Sequence, residues 1–393
     1  MEATHTHFLR LLGAYLREES PDIGDDADWK ALLSLSQIHC VSGIIGYMAR
    51  KYNLCRDDAC SAAFRNYYLS TIVMFSRRYE LAQALIQELE QAGIDHILMK
   101  GFVLRDYYQV PELRTFSDID IVIRPSDREK AHALMLSLNY TVKDNWEPVY
   151  SYHRKEEYYE FHTGIIDGDV TEEADYVGYF ADPWPNASPI SAHSYRFTPE
   201  YHFLYMLTHT AKHIHHSGAG IRLYLDIAAF VLRHGDHLDW HWVEGQLREL
   251  KLFDFANVVL CAVEQWFSIA RPAVFPGAPE TVLTDFTMFT LEAGIFGRHN
   301  RDTALAKMKQ QSQDTSVSRA KLLLRQAFPK ARTIQARYTY LQTKPWLLPV
   351  AWVHRFIKTG ADTGKHLETA RQIIQADTEE VDRLKKLTKD IGL

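Results

Sequence analysis

Ile94-Asp95-His96-Ile97-Leu98-Met99-Lys100, followed by Gly101, the segment FVLRDYYQV and Arg114, leads into Ser117-Asp118-Ile119-Asp120-Ile121-Val122-Ile123. Asp118 and Asp120 stand two apart in a run of β-branched residues, and on a strand that spacing points both side chains to one face. Two acids on one face of a buried strand repel each other and are costly to desolvate unless a cation sits between them. Ile119, Ile121 and Ile123 take the other face and anchor the strand in a core. The reading is a rigid strand that offers oxygen ligands to a hard divalent metal, Mg²⁺ or Mn²⁺. The bland alternative is a pair of turn acids capping a helix at residue 126. It fits poorly, because a cap belongs at Ser126 or Asp127 and the flanking residues are strand formers.

Ile97, Leu98 and Met99 form a short apolar strand that ends at Lys100-Gly101 and runs straight into a helix. A glycine at a strand-to-helix turn lets the backbone approach a ligand, and a helix N-terminus offers unpaired N–H groups to an anion. Lys100 adds a point charge suited to phosphate. Arg114 and Ser117 read as triphosphate contacts or as braces behind the metal ligands. A phosphate cradle followed by a metal-binding acid pair is what transfer of a nucleotide from a triphosphate requires, one metal holding the triphosphate and a second activating the attacking hydroxyl.

Leu98-Met99-Lys100-Gly101, then Leu104, Tyr107-Tyr108, Arg114 and Ser117-Asp118-Ile119-Asp120, resemble the uncharacterised nucleotidyltransferase family, a branch of the DNA polymerase β-like superfamily. So do Trp29 with Leu32-Leu33 and His39-Cys40-Val41, the triplet Glu160-Phe161-His162, the segment from His209 to His213 through Arg222 and Asp226, and the late run Phe328-Pro329, Tyr338, Pro345 and Leu348-Pro349. The resemblance covers most of the chain. Where the wider superfamily usually places Gly-Ser before the helix, this chain has Lys-Gly. The resemblance implies an α+β fold, a polymerase β-like mixed sheet embedded in N- and C-terminal helices. It also implies a nucleoside triphosphate substrate and divalent metal.

At 393 residues the chain has enough length for one large domain or two closely packed ones. Hydrophobic content of 46% and charge of 24% are those of an ordinary soluble globule. A net charge of −6 argues against a nonspecific grip on long nucleic acid, though a local basic pocket remains open. Cys40, Cys55, Cys60 and Cys261 form no metal-like Cys-x-x-Cys pair and follow no signal peptide, so reduced thiols and a cytoplasmic location are expected. No apolar run approaches the length of a bilayer span.

Three regions are expected: 1–93 helical, 94–197 the nucleotidyltransferase core, and 198–393 helical again. Apolar spacing of three and four predicts helices over 5–19 and 28–51, with Asp28 as an N-cap, and one or two more over 57–91. Tyr67, Leu69, Ile72, Phe75, Leu81, Leu85 and Leu89 would face the core, and Gly93 would end the helix. The core then reads β-α-β-α-β-β-β, with strands at 94–99, 118–123, from Asn139, at Val149–Tyr152 and at Tyr158–Ile166, and with helices on one side. No Gly-x-Gly-x-x-Gly or Walker loop is present. Beyond Thr198 the pattern predicts helices over 201–216, 221–234, 240–250, 254–267, 281–311, 316–326 and 367–389. The apolar stretch from Trp346 to Phe356 is expected to pack in a core.

A two-metal site needs a third carboxylate to complete the catalytic metal site and accept the nucleophile's proton. Alternation over residues 158–162 puts Glu160 and His162 on one face, which makes Glu160 the choice. Asp167 and Asp169, flanking Gly168, are rivals that read more like a hairpin turn. His209 and His213 share a helical face but lack the Glu of His-Glu-x-x-His, which removes the zinc-hydrolase reading. With Asp226 they would either brace two helices or face a nucleotide. The acceptor stays open among a small molecule, a protein and tRNA. A toxin-like transferase acting on tRNA or protein, and a catalytically silent nucleotide-binding scaffold, are the alternative functions.

Overall fold

The computed structural model describes residues 2–24, 26–146, 148–166, 170–171, 173–216, 218–293, 328, 334, 338, 340–359 and 378–393. Strands β1 (His96–Leu98), β2 (Ile119–Ile123), β3 (Thr141–Trp146), β4 (Val149–Arg154), β5 (Glu157–His162), β6 (Ala187–Pro189) and β7 (Ser194–Phe197) form one sheet in the order β3-β4-β5-β2-β1-β7-β6. The sheet is mixed, because β2 runs parallel to β5 and β1 parallel to β7 while the other neighbours are antiparallel. The fold is α+β, as the resemblance implies.

Helices α1 (Ala3–Arg17), α2 (Trp29–Ile38), α3 (Ser42–Lys51) and α4 (Asp58–Gln91) precede the sheet. Asp28 caps α2 by accepting from the Lys30 and Ala31 amides. The α4 helix is continuous over 34 residues, and Gly93 closes it at φ +62°, a conformation glycine adopts without penalty. Phe75, Leu85 and Leu89 of α4 are buried, but Tyr67 and Leu69 are exposed. A helix this long outruns the core that its second half covers, so its middle turns keep apolar residues in solvent. Between β1 and β2 lies the short α5 (Lys100–Leu104), and α6 (Arg128–Ser137) joins β2 to β3.

Helices lie on both faces of the sheet rather than on one. Ile119, Ile121 and Ile123 share a core with Phe75, Ala82, Leu85 and Leu89 of α4 and with Ala131 and Met135 of α6. Ile97, Val122 and Phe197 point the other way, into the core built by α8 (Pro199–His216), α9 (Ile221–His234) and α11 (Phe253–Phe267). Period-2 alternation in β2 therefore sends Asp120, in step with Val122, toward α8 and α9. Between β5 and α8 comes the one-turn α7 (Tyr176–Tyr179). After α9, α10 (Trp240–Glu249), α11 and α12 (Glu280–Ala293) continue the helical region, followed by helices Leu348–Thr359 and Thr378–Asp390. The expected helical stretches 294–311, 316–326 and 367–377, with Pro329, lie outside the described residues.

Over the described side chains, 346–354, the apolar run is largely not core: Trp346, Val350 and Val353 are exposed and Ala351 is buried. All four cysteines are free thiols. Among the described residues no helix is long and apolar enough to cross a membrane.

Candidate active site

The parallel register of β2 and β5 sets Asp120 opposite Glu160 and Val122 opposite His162. Continuing outward, Glu160 lies opposite Ser151 on β4 and Ser151 opposite Asp144 on β3. Asp120, Glu160, Ser151 and Asp144 thus form a polar row across four strands. The row lines a cavity of about 540 Å³ whose far wall is α8 and α9. That volume is in the range of small-molecule sites.

At the centre of the row, ligand atoms of Asp120, Glu160 and His162 lie within 4.8 Å of one another. His162 Nε2 stands 2.9 Å from Asp120 Oδ1 and 3.7 Å from Glu160 Oε2. The Lys100 ammonium donates to the same Asp120 Oδ1 at 2.6 Å. Burial alone would lift the Asp120 pKa, but the Lys100 charge and the His162 hydrogen bond outweigh it and hold the carboxyl well below the usual range. Glu160 goes the other way: burial, then the charges of Asp120 and Asp118, raise its pKa.

Lys100 reaches Asp120 because of an unusual backbone. It follows Met99, the residue after β1, whose N–H donates to Asp120 O at 3.1 Å, and it opens α5 at φ +51°. Such a conformation in a residue with a side chain is strained and points to a local constraint. The left-handed residue of this strand-to-helix turn is Lys100, not the glycine that follows it. Gly101 serves a different contact: a Cβ there would strike the Arg114 guanidinium and sit 3.0 Å from Phe116 Cβ. Its absent side chain makes room for Arg114.

Arg114 is a brace. Its Nε donates to Asp226 Oδ1 at 3.0 Å, its Nη2 to Asp226 Oδ2 and its Nη1 to Thr115 O at 2.7 Å. Tyr108 Oη donates to the same Asp226 Oδ1 at 2.7 Å. Arg114 and Asp226 are both buried, and their ion pair ties the segment before β2 to α9. Among the described residues Asp226 accepts from Arg114 and Tyr108, and no histidine bonds to it. His209 and His213 of α8 line the cavity with their Nε2 atoms 3.0 Å apart, so one nitrogen donates and the other accepts. Burial, and then His213, hold the His209 pKa well below normal.

Asp118 stands just before β2, half-buried at the cavity mouth, and accepts from Ser117 Oγ at 2.8 Å. It is not part of the three-residue donor group. Asp167, Gly168 and Asp169 lie outside the described residues. Sequence reading passed over Asp144 and Ser151, which enter the site only through the β3-β4-β5 register. Arg222, noted in sequence only as part of the resemblance, and Lys212, inside the His209–His213 segment, both line the helical wall.

The acid row on the mixed sheet thus stands opposite a helical wall carrying Lys212, Arg222 and two histidines, within an α+β fold. A family model described as uncharacterised nucleotidyltransferase matches residues 25–268, which span the whole sheet and α2 to α11. The chain belongs to that family, whose general activity is nucleotidyl transfer from a nucleoside triphosphate. No curated protein and no solved structure matches the chain.

Proposed function

We propose that the protein moves a nucleoside monophosphate from a nucleoside triphosphate to an acceptor hydroxyl in the cavity between the sheet and α8–α9. The observation that supports this most directly is the β2–β5 register, which gathers Asp120, Glu160 and His162 within 4.8 Å. Two carboxylates and an imidazole at that spacing fit a divalent cation, with Asp118 at the mouth as a further oxygen donor. Mg²⁺ or Mn²⁺ bound there would neutralise triphosphate charge and acidify the acceptor hydroxyl.

In the proposed reaction the acceptor oxygen forms a bond to the α-phosphorus. The bond from that phosphorus to the β-bridging oxygen breaks, and pyrophosphate leaves with the electron pair. The hydroxyl proton passes to Glu160, the carboxylate that faces Asp120 across the β2–β5 register. Asp120 stays anionic throughout, and Lys100, already at the acid row, lies where it would follow the phosphates.

Calorimetry with ATP, CTP, GTP and UTP, with and without Mg²⁺ or Mn²⁺, tests the reading, followed by pyrophosphate release in the presence of cell extract. Nucleotide binding should need the metal. Glu160→Gln should retain binding and lose release. Metal-independent binding, or full turnover by Glu160→Gln, would overturn the proposal.

A further inference from the structure

Resting on that reading of the cavity, we propose that Arg222, in the first turn of α9, forms with Lys212 of α8 the subsite for the β- and γ-phosphates of the triphosphate. Two guanidinium groups stand side by side behind the loop that leads to Asp118, and only one is neutralised. Arg114 has both oxygens of Asp226. Arg222 has neutral acceptors alone: its Nη1 donates to Thr115 O at 3.1 Å and to Thr115 Oγ1 at 3.2 Å. Its Nε is buried with no partner. Among the described residues no carboxylate forms an ion pair with it.

A cation removed from water without an anion is expensive. Burial, and then the charge of Arg114, push the Arg222 pKa down to about 10. The molecule tolerates this arrangement in the wall of a cavity that also carries Lys212, opposite the acids. A condensed phosphate would supply the missing charge, and a guanidinium meets phosphate oxygens with paired N–H groups. The geometry then divides the cavity. The sheet side holds the reacting end of the triphosphate, and the helix side holds the part that leaves.

The competing role for Arg222 is a brace on the 114–117 loop through Thr115. A brace depends on the two hydrogen bonds, whereas an anion subsite depends on the charge. Arg222→Met, Arg222→Lys and Thr115→Val in the full chain separate the two, with Mg²⁺ present and calorimetry against ATP, AMP and inorganic tripolyphosphate. Arg222→Met should weaken ATP and tripolyphosphate about tenfold or more. AMP should change by about twofold or less, and Arg222→Lys should recover part of the loss. Thr115→Val should leave all three affinities near wild type. Equal losses for ATP and AMP, or the same losses in Thr115→Val, would make Arg222 a brace and overturn the subsite. ATP binding and pyrophosphate release that persist unchanged in Arg222→Met would also overturn it, and would leave the nucleotidyltransferase reading intact. Arg222-dependent tripolyphosphate binding without ATP binding would support an anion subsite but not its assignment to a nucleotide. Should Arg222→Met fail to fold, Arg222→Lys carries the comparison, because a subsite predicts a triphosphate-selective loss from it and a brace does not.

Discussion

Replacing Asp226 by asparagine changes a charge and almost no volume, which makes it a sharp test of the Arg114 brace. Side-chain exposures of 5% for Arg114 and 3% for Asp226 put the pair out of reach of solvent screening. In Asp226→Asn the Arg114 guanidinium loses the carboxylate it is ion-paired with while staying buried, next to Arg222. The new amide also presents N–H groups toward donors on Arg114 and Tyr108. Breaking a buried pair by removing one partner costs about 3–5 kcal/mol. That is a large share of a total stability of about 5–15 kcal/mol. Urea unfolding followed by far-UV circular dichroism should show a clear drop in midpoint. The control is Arg114→Met with Asp226→Leu, which removes both charges and should recover most of the loss, since apolar replacements of buried pairs are often neutral or better. A loss below about 1 kcal/mol in Asp226→Asn, or a double variant no more stable than the single one, would show that the pair does not hold the segment before β2 to α9.

Three further outcomes follow from the same contacts. Gly101→Ala should cost about 1–3 kcal/mol in urea unfolding, because the new methyl overlaps the Arg114 guanidinium, with Cζ at 2.9 Å, and Phe116; wild-type stability would mean that Arg114 shifts freely. Relief of acid–acid repulsion would raise metal-free thermal stability in Asp120→Asn, but the structure predicts a lower melting temperature, because Lys100 loses its partner; Asp118→Asn should melt near wild type, and a rise in Asp120→Asn would refute the assignment of Lys100. Burial, and then His234, push the buried His202 from 6.5 down to about 4, so the unfolded chain binds more protons between those values and stability falls on acidification. This contribution is about 3 kcal/mol over the window. His202→Phe should flatten the fall in urea midpoint between about pH 7 and about pH 5, and an unchanged slope would refute it.

What the sequence made legible depended on periodicity and short range. The order of the first five strands, the Asp28 cap, the Gly93 helix end and α8 to α11 all follow from patterns within about a dozen residues. Alternation in residues 158–162 placed Glu160 and His162 on one face before any neighbour was known. Strands β6 and β7 were missed, because three or four residues carry no readable period, and β7 joins the sheet beside β1 across 98 positions of sequence from Ser194 to His96. Helices on the second face of the sheet were missed for a related reason. In β2 the alternation shows one apolar face, but Asp120 makes the other face read as polar although both are buried, and nothing local announces which helices cover it. The Arg114–Asp226 bond joins residues 112 apart, and no local signal links them.

Asp118 and Asp120 look equivalent in sequence, and the structure makes them unequal. Asp120 is fixed inside β2, with its carbonyl on the Met99 amide and its carboxylate on Lys100 and His162. Asp118 sits before the strand, half exposed, with Ser117 beside it. Gathering Asp118, Asp120 and Glu160 in one cavity stores repulsion that must be offset before any ligand arrives, or the sheet would not close around them. Lys100 supplies that offset. A non-glycine residue at positive φ costs about 1–2 kcal/mol, and in this turn the ammonium folds from the end of β1 back onto Asp120. In the proposed reaction a metal would be drawn to the same carboxylate oxygen as Lys100, so the cation that offsets Asp120 would also be the one freed to meet phosphate. The strain at Lys100 therefore sets the acid side apart from the helical side: Asp120 has its cation in place, whereas among the described residues no carboxylate pairs with Arg222.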